Sequence, residues 1–337
     1  MIITATEPLV QIPLPDLPSS IVSKLAYTLQ QALQTAKDAR GVQFLEGVLL
    51  GVCRRLWFGG LGTIAAYLQD HGERQGLDEP FRVWWMPTGM LSMLPIHCAG
   101  PYDQTLGGLY ELFISSYTTT LSALLQGRVA ATPPASPVKP FSVLAVAQPQ
   151  ALGAPYLRYA EAEVQGLATS QLANYVTILS GDSATISQFE AELPEHEWLH
   201  CCCHARWDPT SPLDSAFRLR DGNFSLGSII HMRLKKAQFA FLSACHTARH
   251  STILPDESMH LAAGMQIAGF RGVLATQWGM VDKDGPALVE LFYGCLAEAG
   301  FPPDPRNAAE ALHWSLQQLR ERGMPMFRWA LFVHIGI

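Results

Sequence analysis

The chain has 337 residues, 48% hydrophobic and 15% charged, with a formal charge of −6 when histidine is neutral. That composition excludes wholesale disorder and supplies a core for one large domain or two ordinary ones. The mild acidity gives no electrostatic footprint for nucleic acid, and no polybasic run points to an anionic membrane.

The first eighteen residues, MIITATEPLVQIPLPDLP, lack a basic start followed by an apolar stretch, so no signal peptide is expected. An interior, cytoplasmic location follows by default. Pro8, Pro13, Pro15 and Pro18 forbid a helix there. Ser19 and Ser20 then cap a predicted helix from Ile21 to Lys37, with Leu25, Leu29, Ala32 and Ala36 on one stripe. This helix reads either as the end of an upstream repeat region or as a private cap on the domain. Further apolar helices are predicted from Val42 to Trp57 and from Leu61 to Gln69, and a strand from Arg82 to Met86. The apolar runs are broken by Gly, Arg or Pro before membrane-spanning length.

The segment AATPPASPVKP (130–140) holds four prolines in eleven residues and reads as a linker. Beyond it, short apolar runs alternate with helical periods. Strands are predicted at 141–147, 175–179, 198–203, 239–243 and 272–278, and helices at 160–172, 187–193 and 257–268. Two more helices follow, one carrying Leu288, Leu291, Phe292, Cys295 and Leu296, the next Ala308, Ala311, Leu312, Ser315, Leu316 and Leu319. A last apolar run spans 327–336. Unbroken apolar strands between helices mean an α/β fold with a mostly parallel sheet covered on both faces. The expected division is 1–40, an N-terminal segment and helix; 41–129, an N-terminal part; 130–140, the linker; and 141–337, the core.

Seven cysteines, three of them adjacent and none in a C-x-x-C pair, suit reduced thiols rather than a disulfide framework. Open parallel sheets place their sites in loops beyond the C-terminal strand ends. Two strands end in reactive residues: HCCCHA puts His204 at one lip, and LSACHTA puts Cys245 at another, 41 residues on. That interval fits one crossover between neighbouring strands. A thiol needs a base, which imidazole supplies, and the same imidazole later protonates a leaving amine. The backbone N–H groups of Ala205 and Cys245 are natural oxyanion donors. On spacing alone, a buried structural thiol and a satisfied core histidine are the preferred explanation of the pair.

Several blocks together tip that balance. VWWMPTGMLSMLPIHCAG (83–100), LFISSYTTTLSALL (112–125), AEAEVQGLA (160–168), LSGDSAT (179–185), LHCCCHA (199–205), LSACHTA (242–248) and the run 256–296 resemble, in order, the signatures of the CHAT domain family. These are caspase- and separase-related cysteine peptidases often linked to tetratricopeptide repeats. The resemblance covers about 41–337 and implies a caspase-like three-layer α/β fold with a degenerate, non-catalytic N-terminal half. It implies peptide-bond hydrolysis by a His204–Cys245 dyad, with a protein or peptide substrate and no cofactor. It further implies latency relieved by an activating partner or an attached repeat or sensor region, in a signalling setting. Ala205 stands where the family has Gly. Alanine keeps the donor but resists φ > 0, so a loop needing that conformation would distort the oxyanion pocket. A catalytically silent interaction module is therefore the alternative function.

Other residues carry competing readings. Strand alternation would put His200, Cys202 and His204 on one face as a zinc set, but cysteine also packs well in a buried strand, and packing is preferred. His246 is a rival base, although residues adjacent in sequence usually point apart. Asp282 reads either as a carboxylate for a basic substrate side chain or, with Asp284, as a cap for the helix near Pro286, and the cap is preferred. Asp256 and Glu257 are read the same way. Trp278 either lines the substrate groove or belongs to the core. Loops 205–222 and 246–256 are the expected mobile parts.

Overall fold

The computed structural model describes residues 1–4, 7–78, 80–103, 107–130, 141–208, 210–243 and 261–337. The chain forms two compact units, residues 1–83 with 87–115 and residues 84–86 with 116–337. The expected boundary at 130–140 falls almost wholly outside the described residues. Residues 116–129, expected in the N-terminal part, belong to the second unit.

The first unit is mainly helical. Helices α1 (Ser19–Thr35), α2 (Ala39–Leu56) and α3 (Gly62–Gln75) precede strand β1 (Phe81–Trp85), short helix α4 (Leu109–Leu112) and strand β2 (Phe113–Tyr117). The Asp38 side chain accepts from Gly41 N–H at 2.8 Å and opens α2. The stripe Leu45, Leu49, Val52, Cys53 and Leu56 is buried, as the period predicts. Between α2 and α3 the helical run is kinked rather than continuous. A π-helical turn, Trp57–Leu61, joins them, and Gly60 supplies a φ of 134° that other residues resist. The run Ala39–Gln75 is thereby 37 residues long, enough by length and composition to cross a bilayer. Arg54 and Arg55 interrupt it, and its buried stripe already has a protein core to face.

The second unit continues with helix α5 (Leu121–Ala130), strand β3 (Val143–Ala147), helix α6 (Ala160–Ala168), strand β4 (Val176–Ser180) and helix α7 (Ile186–Glu192). Strand β5 (Trp198–Cys202) follows, then β6 (His204–Arg206), β7 (Ala216–Arg218), β8 (Asn223–Ser225), helix α8 (Leu226–Met232) and strand β9 (Phe239–Ser243). The chain ends with α9 (Leu261–Ala268), β10 (Gly272–Thr276), α10 (Gly285–Glu298), α11 (Ala308–Glu321), α12 (Met326–Trp329) and β11 (Phe332–Gly336).

An eight-stranded sheet has the order β1-β2-β11-β10-β9-β5-β3-β4. Strands β3, β4, β5, β9 and β10 run parallel, and β11 pairs antiparallel with β10. Every residue of β3, β5, β9, β10 and β11 is buried, which explains why they read as unbroken apolar runs. The strand order reverses direction at β3, so crossovers of the usual right-handed sense carry α6 to one face and α7, α8 and α9 to the other. Helices α10 and α11 pack together beside α6.

Two expectations change here. The stretch 205–222 is not one mobile loop. It contributes to a small antiparallel sheet, β6-β7-β8. The final run 327–336 is not one element either. It is a helical turn followed by a strand set between β2 and β10.

Candidate active site

Neighbouring parallel strands β5 and β9 are paired with Cys202 opposite Ser243, at their C-terminal ends. The chain bends at Cys203 and enters β6 with His204. That bend takes His204 off the face shared by His200 and Cys202, so the three side chains do not form one ligand set. Among the described residues, no group of three His, Cys, Asp or Glu side chains is placed to hold a metal ion.

Among the described residues, the half-buried His204 ring is hydrogen-bonded through Nε2 to the carbonyl oxygen of Pro155 at 2.7 Å. A carbonyl only accepts, so Nε2 carries the hydrogen in the neutral ring and Nδ1 keeps a lone pair. Pro155 lies in the loop that follows β3, the strand beside β5 on the side away from β9. Leu157 N–H donates to Pro149 O at 2.9 Å, and the Arg218 guanidinium donates to Leu152 O. Arg218 itself is paired with His204 across β6 and β7.

The Asp282 carboxylate, in the loop after β10, accepts from the Tyr159 N–H at 2.9 Å. Burial pushes its carboxyl above the usual range; neighbouring Glu163 adds to this, while backbone N–H groups of Tyr159 and Arg158 and the charge of His204 oppose it. Asp282 therefore sits at the start of α6 rather than capping α10. Asp284 does not cap α10 with its side chain either; it is buried and ion-paired with Arg328.

Beneath the lip lies a buried polar cluster. Glu163 on α6 meets His200 Nε2 at 3.0 Å with one oxygen and accepts from the Cys202 thiol at 3.3 Å with the other. His200 Nδ1 lies 3.2 Å from the Tyr293 hydroxyl on α10. Burial and the charge of Glu163 push the Cys202 thiol and the Tyr293 hydroxyl well up. On the other face Cys201 and Cys203 lie 3.4 Å apart, and that hydrogen bond together with burial holds the Cys201 thiol well up. Cys201 and Cys202 thus stay protonated at neutral pH and serve as packing groups.

Ala205 is the middle residue of β6, extended and opposite Phe217. Positive φ outside glycine occurs, among the described residues, at Tyr102 and Arg233. Trp278 is buried, and its Nε1 donates to Phe327 O at 2.8 Å, which places it in the core. Cys245, His246, Asp256 and Glu257 lie outside the described residues, as does the 246–256 loop.

Pro155, Tyr159 and Tyr293 are site neighbours that motif reading did not single out. Glu163 fell inside the block AEAEVQGLA, but nothing in the spacing marked it as the partner of His200.

The sheet order, with helices on both faces and a histidine at the rim of neighbouring parallel strands, defines a caspase-like α/β fold. Known structures agree. The Arg-specific cysteine proteinase gingipain R superposes with a TM-score of 0.52 at 11% identity, covering 82% of this chain and 67% of that one. Separase in the Saccharomyces cerevisiae separase–securin complex gives a TM-score of 0.54 at 12% identity over 92% of this chain. That match covers only 20% of the separase chain. A complex of Porphyromonas gingivalis RgpB pro- and mature domains gives 0.53 at 10% identity, covering 82% of this chain and 68% of that one. Comparison with curated proteins finds no match. The CHAT domain family model matches residues 51–337, and the chain belongs to that family.

Proposed function

We propose that this chain is a cysteine endopeptidase in which His204 is the general base and Cys245 the nucleophile. The observation that carries the reading is the 2.7 Å bond from His204 Nε2 to the Pro155 carbonyl. It leaves Nδ1 as the basic nitrogen of an imidazole at the sheet rim. Support comes from the strand ends: Cys202 and Ser243 are paired across β5 and β9, and in sequence His204 and Cys245 each follow two residues later.

In the proposed reaction the Cys245 thiol gives its proton to His204 Nδ1. The thiolate attacks the scissile carbonyl, and the oxyanion is met by the backbone N–H groups of Ala205 and Cys245. His204 returns the proton to the leaving amine. Water then hydrolyses the thioester, with His204 taking a proton from the water and the acid product leaving. The extended backbone of Ala205 tolerates its methyl group, which favours an active site over a silent module.

The substrate is a protein or peptide, and a second protein or attached sensor region regulates access. The six cysteines among the described residues are free, in keeping with the reducing interior setting we propose. The test is cleavage of a peptide library by wild type beside Cys245→Ala. The variant is expected to keep the wild-type circular dichroism spectrum and melting temperature and to lose all cleavage. Equal cleavage by both proteins would remove Cys245 from the mechanism.

A further inference from the structure

We propose that Asp282 is a positioning residue that holds the Pro155 carbonyl against His204 through the backbone of Tyr159. This rests on the reading of His204 as general base. The carbonyl that orients the imidazole belongs to a connecting segment, not to a strand or helix. That segment is held on both sides of Pro155, before it by the Arg218 guanidinium bonded to Leu152 O and by Ala154 N–H bonded to Ala151 O at 3.1 Å. Just past Pro155, Leu157 N–H reaches back to Pro149 O at 2.9 Å. At its end, Tyr159 occupies the N-cap position of α6 and makes no cap bond with its own side chain. The amide there is met instead by Asp282, 123 residues away, at 2.9 Å. A carboxylate acceptor makes this hydrogen bond stronger than a neutral group would.

The body of α6 is tied independently to β5, through Glu163 and His200 at 3.0 Å. Strand β5 is also the strand that leads to His204. The helix is thus fixed to the base of the histidine lip, and its entry is fixed by Asp282. Pro155 lies between these supports and the imidazole. Losing the Asp282 bond frees the entry to α6 while the helix stays docked. The carbonyl then drifts from Nε2, and the ring no longer presents Nδ1 in one orientation. The carboxylate oxygen that accepts from Tyr159 is already engaged, which sets this role apart from recognition of a basic substrate side chain.

The full chain tests this with two variants and two readouts. Asp282→Asn keeps a side-chain carbonyl that accepts from Tyr159, whereas Asp282→Ala does not. One readout is the ¹⁵N spectrum of the His204 ring, assigned by its loss in His204→Ala. The other is the alkylation rate of Cys245 by iodoacetamide, followed on its tryptic peptide. Wild type and Asp282→Asn are expected to show the Nε2–H form and rates within about twofold of each other. Asp282→Ala is expected to mix the two tautomers and alkylate about tenfold more slowly, the scale of a lost sub-ångström alignment. If Asp282→Ala does not fold, Tyr159→Pro removes the donor from the other side and carries the same expectation.

A wild-type tautomer and rate in the variant lacking the bond would overturn the proposal. So would equal losses in the Asn and Ala variants, which would assign the effect to charge. Alkylation that ignores His204→Ala would instead defeat the peptidase reading, and the ring spectrum would still judge whether Asp282 holds His204.

Discussion

A carboxylate with no solvent contact must find its partners inside the protein, and Glu163 finds two on one strand. Removing it leaves His200 and Cys202 buried without that acceptor. Glu163→Ala is expected to cost about 3–5 kcal/mol, the usual penalty for breaking a buried pair, read as a lower urea midpoint at unchanged slope. Asp208 shows the opposite case, a carboxylate at the surface. Hydrogen bonds from the Thr210 hydroxyl and from the Ser211 and Thr210 amides hold its carboxyl down to about 2, against 3.8 unperturbed. The folded state therefore binds this proton less readily than the unfolded state. Its stabilisation is complete above the unfolded value and is lost as pH falls from about 4 toward 2. Melting curves of wild type and Asp208→Asn should differ at pH 6 and converge near pH 2. A constant gap across that range would separate Asp208 from the acid transition.

Close packing of elements depends on single positions. Helix α10 begins at Gly285, where a Cβ would lie 1.8 Å from Glu163 Oε2. Farther along the same helix, a Cβ on Gly294 would meet nothing within 4 Å. Gly285→Ala should cost about 1–3 kcal/mol by pushing α10 from α6. Gly294→Ala should stabilise by up to about 1 kcal/mol, since alanine loses less chain entropy in a helix. Equal melting temperatures for the two variants would deny the tight approach at Gly285. The elements also show where periodicity misleads. Residues 205–222 look like a polar loop because β6 and β7 are three residues each, too short for alternation to register. Their partners are supplied by β8 after a further turn, and Phe217 and Phe224 are buried only once the three strands meet.

At the scale of the whole molecule, the last strand takes an interior slot. Strand β11 pairs with β10 over five residues and with β2 through Ile335 opposite Tyr117. A chain lacking residues 332–337 would leave two facing strand edges bare and lose the buried Phe332, Val333 and Ile335. That truncation is expected to bind a hydrophobic dye and to lose its cooperative melt. A sharp melt near the wild-type temperature would show that the sheet closes without β11.

Burial is written into a sequence locally, and so the apolar strands at 143–147, 198–202, 239–243 and 272–276, the helices α6, α7 and α9 and the parallel sheet class were legible from hydrophobic runs alone, whereas α8 was hidden in what reads as a polar loop. His204 and Cys245 stood out for the same reason, as reactive residues just past such runs. The partners of His204 did not. Every residue carries a carbonyl, so nothing in the letters marked Pro155, 49 positions away, as the one that meets the imidazole. Asp282 looked like a cap for the helix beside it, since a local reading assigns a carboxylate to the nearest helix start. The tertiary fold gave it to α6 instead, because packing α10 against α6 brings the loop after β10 to the amide of Tyr159.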